Sequence, residues 1–246
     1  MTEMQDKVVV IHQPDFIPYL GFFDRLLHAD IFVVLDIVQY EKQGWMNRDK
    51  IKTAQGEQWL TVGVKKMPTS TPVNEILLSE DNPWRKKGLN LVEFNYKKSR
   101  FYSEIMPHVR EIFEYPVSKM VEFNMFSIRK LMKLFDIDIE VVFAHTLSPQ
   151  GKNNELNIDI VRKLGAHRYL SGIGAIGPTG YHKQELYDQA GIEVIWQDFQ
   201  HPIYDQLYGE FIPYLSSIDL LFNCGIEKSR KILRGGETRY EKPSIN

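Results

Sequence analysis

Two short β-branched runs, Val8-Val9-Val10-Ile11 and Ile31-Phe32-Val33-Val34-Leu35, flank a segment whose Leu20, Phe23, Leu26 and Leu27 fall at helical spacing. The runs are continuous rather than alternating, as in strands covered on both faces. The spacing between them predicts a helix over residues 19–28. A strand, helix, strand unit of this length closes as a parallel pair joined by a right-handed crossover. The remaining chain has to be read around that unit.

Residues 45–51 and 58–64 flank the polar turn Thr53-Ala54-Gln55-Gly56-Glu57 and read as a β-hairpin. Helices follow over 83–98, 102–113 and 118–135. In the last of these Met120, Phe123, Phe126, Ile128, Leu131 and Leu134 make a broad apolar face suited to core packing. The α/β alternation then resumes, with strands over 139–144, 167–170 and 192–197 and helices over 154–164 and 183–190. Helices over 211–222 and 227–233 precede a polar tail. The pattern predicts a single α/β domain over residues 1–246. Its open, mostly parallel sheet has helices on both faces and carries residues 45–135 as a hairpin and helical insertion.

Bulk properties exclude several classes. A chain of 246 residues with 43% hydrophobic and 25% charged residues can bury a proper core. Its net charge of -2 provides no basic field for nucleic acid or anionic membrane. Cys224 is the only cysteine, which rules out an internal disulfide and any multi-cysteine metal site. No apolar run approaches the roughly 18 residues that span a bilayer. The polar first residues, Met-Thr-Glu-Met-Gln-Asp-Lys, lack the features of a signal peptide. A cytoplasmic protein is expected.

Chemistry is expected in the loops after the strands, because open parallel sheets bind ligands at the carboxyl ends of their strands. The first strand delivers His12, Gln13 and Asp15, and the second delivers Asp36, Gln39 and Tyr40. His12 can anchor its turn through a backbone carbonyl, or serve as an acid, base or charge-stabilising group. Pro14 and Pro18 stiffen this loop, and the helix start near Tyr19 offers free N–H groups to an anion. Asp36 ends an apolar strand and needs a partner or a ligand. Trp45, Asn47, Arg48 and Lys50 follow. Arg48 suits bidentate grip of a carboxylate or phosphate, and Lys50 supplies a compact charge.

The segment Ser171-Gly172-Ile173-Gly174-Ala175-Ile176-Gly177-Pro178-Thr179-Gly180 leads through Tyr181 and His182 into a helix. Its backbone can cradle a phosphate, although it matches neither the Walker nor the dinucleotide fingerprint. After a later strand, His201 again precedes a proline, and Tyr204, Asp205 and Gln206 can recognise a sugar or amine. The other histidines, His28, His108, His145 and His167, lack metal-ligand spacing and read as structural. No metal site is assigned, and a metal requirement stays open.

The stretches "IHQPDFIPYLGFFDRL", "ADIFVVLDIVQYEKQGWMNRDKI", "WLTVGVKK", "YLSGIGAIGPTGYH" and "FIPYLSSIDLLFNCG" together resemble the WbqC-like protein family, over about residues 8 to 226. Genes of this family commonly lie among those for bacterial surface polysaccharides, including O-antigens with amino-acylated amino sugars. The resemblance implies work on a nucleotide-linked sugar. A further likeness, carried by His12 and "ADIFVVLDIVQY", is to adenylyl-transferring enzymes of the pantothenate synthetase and class I synthetase type. It implies a nucleotidyltransferase-like sheet and use of ATP. Those enzymes carry His-x-Gly-His here, whereas this chain has Gly21-Phe22 and lacks the second histidine.

The expected activity is attachment of a glycyl or other small acyl group to the amine of a nucleotide-linked amino sugar, forming an amide. The partners are that sugar and a small carboxylate or acyl donor. His12 would stabilise charge or move a proton, and Asp36 would hold or deprotonate the amine. Arg48 and Lys50 would hold phosphate or carboxylate, and the loop from Ser171 to Tyr181 would cradle the diphosphate. Trp45 and Tyr181 would stack on base or sugar. Nucleotidyl transfer to a sugar phosphate, and a non-catalytic nucleotide-sugar binding subunit, are the alternatives.

Overall fold

A computed structural model describes residues 6–176, 180–236 and 238–241. The predicted unit forms as β1 (Val8–His12), α1 (Leu20–Leu27) and β2 (Ile31–Val34), with β1 and β2 parallel and Val9 opposite Ile31. A hairpin of β3 (Arg48–Thr53) and β4 (Gly56–Thr61) follows as a separate antiparallel pair. Its turn is tighter than expected: Thr53 pairs with Gly56, whose φ of 104° only glycine adopts readily. Then come α2 (Trp84–Tyr96), α3 (Tyr102–Glu114) and α4 (Met120–Phe135).

The second half runs β5 (Glu140–Phe143), the single turn α5 (Ala144–Leu147), α6 (Asn154–Lys163), β6 (Arg168–Gly172), α7 (Gln184–Ala190) and β7 (Glu193–Asp198). It ends in α8 (Ile218–Arg234) and β8 (Arg239–Glu241). The strand order is β5-β2-β1-β6-β7-β8, parallel throughout except for the antiparallel edge strand β8. From β1 the chain builds outward through β2 to β5, then returns to β6 on the other side and builds outward again. The order therefore reverses between β1 and β6, which opens a crevice beyond their carboxyl ends.

Period-two alternation explains the continuous apolar strands, since each buries both faces. Val10, Phe32 and Val34 join one core with Phe22 and Phe23 of α1, Phe135 of α4 and Leu221 of α8. Val9, Ile11, Ile31 and Val33 join a second core with Ile160 of α6 and Tyr187 of α7. Hairpin and helical residues such as Leu60, Val92, Ile112 and Phe123 belong to the first core. The face expected on α4 is buried as core.

One helix boundary differs from expectation. The helix read over 211–222 starts only at Ile218, because Pro213 and the left-handed Tyr214 (φ 58°) keep the preceding residues extended or turned. A break at Gly225 (φ 74°, ψ 170°) ends this first segment of α8, and the second helix expected over 227–233 follows it through to Arg234. The strand β8 was not anticipated, since its three residues carry no apolar period. The expected fraying beyond residue 241 lies outside the described residues.

Candidate functional site

The crevice at the β1/β6 reversal has a volume of about 640 Å³, within the usual range for small-ligand sites. His12, Gln13 and Asp15 after β1 line it together with residues 171–175 at the end of β6. Trp45 and Asp49 reach it from the hairpin side, and Tyr181 and Tyr214 stand at its rim. Trp45, Tyr181 and Tyr214 are each about half exposed, at 51%, 53% and 52%. Flat aromatic surfaces of this kind suit a sugar or base.

The His12–Pro18 loop is held from several directions. Fully buried Asn124 of α4 donates through Nδ2 to the carbonyls of Pro14 and Met46, both at 2.7 Å. The Phe16 amide donates to the Trp45 carbonyl at 2.9 Å, so the two site loops are also joined directly. Ile17 has a φ of 43°, a costly conformation for a β-branched residue. Its carbonyl accepts the Ser216 hydroxyl at 2.7 Å, and the Ser217 amide donates to Pro18 at 3.0 Å.

His12 Nδ1 lies 2.8 Å from the Gln13 carbonyl. A carbonyl can only accept, so Nδ1 carries the proton and Nε2 presents its lone pair. Burial, reinforced by the nearby Arg25 charge, pushes the imidazole down to about 3, so it is neutral at neutral pH. Burial pushes Asp15 the other way, up to about 7, with Arg25 opposing the rise. Asp49 is raised well above the ordinary carboxyl value by burial. The Lys50 amide bond opposes that rise and the Asp15 charge adds to it. Two carboxyl groups and a neutral imidazole thus share one crevice.

Arg25 also lines the crevice, although only 6% exposed. Its Nη1 donates to Gln197 Oε1 at 2.9 Å. Gln197 in turn donates through Nε2 to the Gly21 carbonyl at 2.9 Å and to Asp24 Oδ2 at 2.6 Å. The Tyr240 hydroxyl of β8 also donates to Asp24 Oδ2. Sequence reasoning missed Arg25, Gln197 and Asp49. A signal for Arg25 existed: apolar residues on both sides of Asp24-Arg25 leave α1 little solvent-facing surface, and every residue from Leu20 to Leu26 is buried.

Of the expected site residues, the crevice brings together His12, Gln13, Asp15, Trp45, Ser171, Gly172, Gly174 and Tyr181. It does not include Asp36, whose Oδ1 accepts the His145 amide at 3.1 Å and whose Oδ2 meets His145 Nδ1 at 2.5 Å. Arg48 stacks over Trp59 at 4.0 Å, and Lys50 pairs with Glu57 at 2.6 Å. Asn47 is buried, its carbonyl accepting the Val62 amide, and exposed Gln39 bridges Pro72 through its backbone. His182 bonds Gln184 at 2.9 Å and stacks on Tyr187. His201 packs behind the rim residue Tyr214 at 5.3 Å. Tyr204 donates to buried Asp219 at 2.9 Å, in a cluster with Tyr96, Gln206 and Lys52. The stretch 177–179 of the glycine-rich loop lies outside the described residues.

Among the described residues no three His, Cys, Asp or Glu side chains gather as metal ligands, and no helix is long and apolar enough to cross a membrane. The profile of the WbqC-like protein family matches residues 13–231. The chain is 31% identical over 224 residues to the uncharacterized protein Rv1507c of Mycobacterium tuberculosis, covering 90% of this chain and 95% of that protein. No solved structure matches.

Proposed function

The chain belongs to the WbqC-like protein family, which is associated with O-antigen biosynthesis, and on that basis we propose an enzyme that acylates the amine of a nucleotide-linked amino sugar in the β1/β6 crevice. The observation that carries the reading is Asp15. Its carboxyl stands 3.7 Å from His12 in a crevice rimmed by aromatic rings, where burial pushes it up to about 7 and keeps the imidazole neutral.

Amide formation requires a neutral amine that loses a proton as it attacks. The His12 Nε2 lone pair accepts one amine N–H and so directs the amine lone pair at the acyl carbon. The nitrogen forms the new bond to that carbon, and the acyl leaving group departs with its electron pair. Ionised Asp15 takes the proton released from nitrogen, and a base with a pKa near the working pH suits this transfer. Trp45, Tyr181 and Tyr214 provide stacking surfaces for sugar and base. The acyl group arrives activated, either on a carrier or as an acyl-adenylate made from ATP.

The test is to incubate the protein with dTDP- or UDP-linked amino sugars and glycine, with and without ATP, and weigh the products. A glycyl amide that disappears in Asp15→Asn is the expected result. Pyrophosphate release from a nucleoside triphosphate and a sugar phosphate, with no amide, would replace this reading with nucleotidyl transfer. Nucleotide-sugar binding without turnover of any donor would leave only a binding subunit.

A further inference from the structure

We infer that Arg25 is an oxyanion receptor at the base of the crevice, aimed by Gln197 and Asp24, and that it takes a phosphate or carboxylate group of the bound substrate. The inference rests on the crevice being the substrate site, as proposed above.

A buried guanidinium carries a full charge and five donors, and leaving it uncompensated is costly. Among the described residues the Arg25 side chain has one hydrogen bond, to the neutral Gln197 amide, and no carboxylate within ion-pair distance. The acid next to it in sequence, Asp24, is also buried, but its Oδ2 is taken by Gln197 and Tyr240. Asp15 acts on Arg25 only through space. Gln197 therefore orients the guanidinium without neutralising it.

The space in front of Arg25 is also built. Gly172, at the end of β6, lies so close that a Cβ there would sit 2.8 Å from Nη1. Without a side chain at 172, the guanidinium can lie against the backbone facing the crevice. A planar fork with free N–H groups matches the paired oxygens of a carboxylate or phosphate better than any neutral acceptor.

Calorimetric titration of the full chain with pyrophosphate, UDP, acetate and glycine tests this. Saturable binding of one of these anions to the wild-type protein is expected, with the phosphate and carboxylate probes separating the two sources. Arg25→Lys keeps the charge but removes the fork, and should weaken that binding about tenfold or more. Gly172→Ala places a Cβ against Nη1, the nitrogen that bonds Gln197, and should do the same by displacing the guanidinium. Gln197→Met removes the hydrogen bond that aims the guanidinium and should weaken anion binding about as much as Arg25→Lys. A merely structural Gln197 would lower stability and leave the anion affinity intact.

Equal affinities in the wild type, Arg25→Lys and Gly172→Ala, or no binding of any probe, would overturn the inference. An Arg25-dependent anion site without amide synthesis would retain the receptor and remove the proposed reaction. Amide synthesis indifferent to Arg25 would do the reverse.

Discussion

His12 Nδ1 stands 3.7 Å from Asp15 Oδ2 in the crevice, and burial moves the two groups in opposite directions. Loss of water penalises whichever form is charged, so the imidazole loses its proton more easily and the carboxyl holds its own. Arg25 acts on both in the same sense, favouring neutral His12 and ionised Asp15. One cation thereby brings a carboxyl otherwise trapped in its neutral form back to a useful range.

The first prediction concerns rate against pH. If ionised Asp15 takes the amine proton, turnover should rise with pH through an apparent pKa of about 7. A profile that stays flat between pH 6 and 8, measured under saturating substrate, would remove Asp15 as the base.

Stability offers a second reading of the same group. The folded value of Asp15, about 7, lies above its ordinary value of 3.8. The folded chain therefore binds this proton more tightly, and the contribution to stability is present at low pH and lost as pH rises through about 7. Asp15→Asn escapes that loss. Its stability gain over wild type should grow between pH 4 and 7, reaching on the order of 4 kcal/mol in denaturant titrations. The opposite effect of His12, which loses stability as pH falls below its ordinary 6.5, is common to both proteins and cancels in the difference.

Asn124 is predicted to be the residue on which loop geometry depends. Asn124→Leu leaves the Pro14 and Met46 carbonyls without their buried donor. A loss of about 2–4 kcal/mol is expected, together with weaker nucleotide-sugar binding at temperatures where the chain remains folded. Asn124→Asp should not restore it, since a carboxylate has no hydrogen to donate.

Gly225 should tolerate no side chain. Its φ of 74° and ψ of 170° lie in a region that is essentially glycine-only, and a Cβ would meet the Phe101 ring at 2.5 Å. Gly225→Ala should lower the unfolding free energy by about 2–3 kcal/mol, with little change in ligand affinity at low temperature. Thermal melts with and without ligand would separate these effects.

Much of the architecture was legible in short windows of sequence. The runs before His12 and Asp36, the helical spacing of Leu20, Phe23, Leu26 and Leu27, and the face of Met120 to Leu134 are local patterns. Burial on one or two faces imposes them directly on neighbouring residues. The His12–Asp15 turn and the start of the glycine-rich loop were legible as candidate crevice lining because polar residues at strand ends need an explanation that apolar packing does not provide.

Other features depended on contacts between residues far apart in the chain. Asp36 and Arg48 resemble site residues as strongly as His12 does, yet Asp36 meets His145 across β2 and β5, and Arg48 stacks on Trp59 across the hairpin. Arg25 sits inside a helix with no motif around it, and its role depends on Gln197, which lies 172 residues away. Periodicity specifies which face of an element is buried, so the sequence alone determined the strongly periodic elements and their inward faces, but not the short edge strand β8 or the start of α8. Which partner meets that face depends on strand order, and only the tertiary structure, by setting β1 beside β6, decided which polar residues share the crevice.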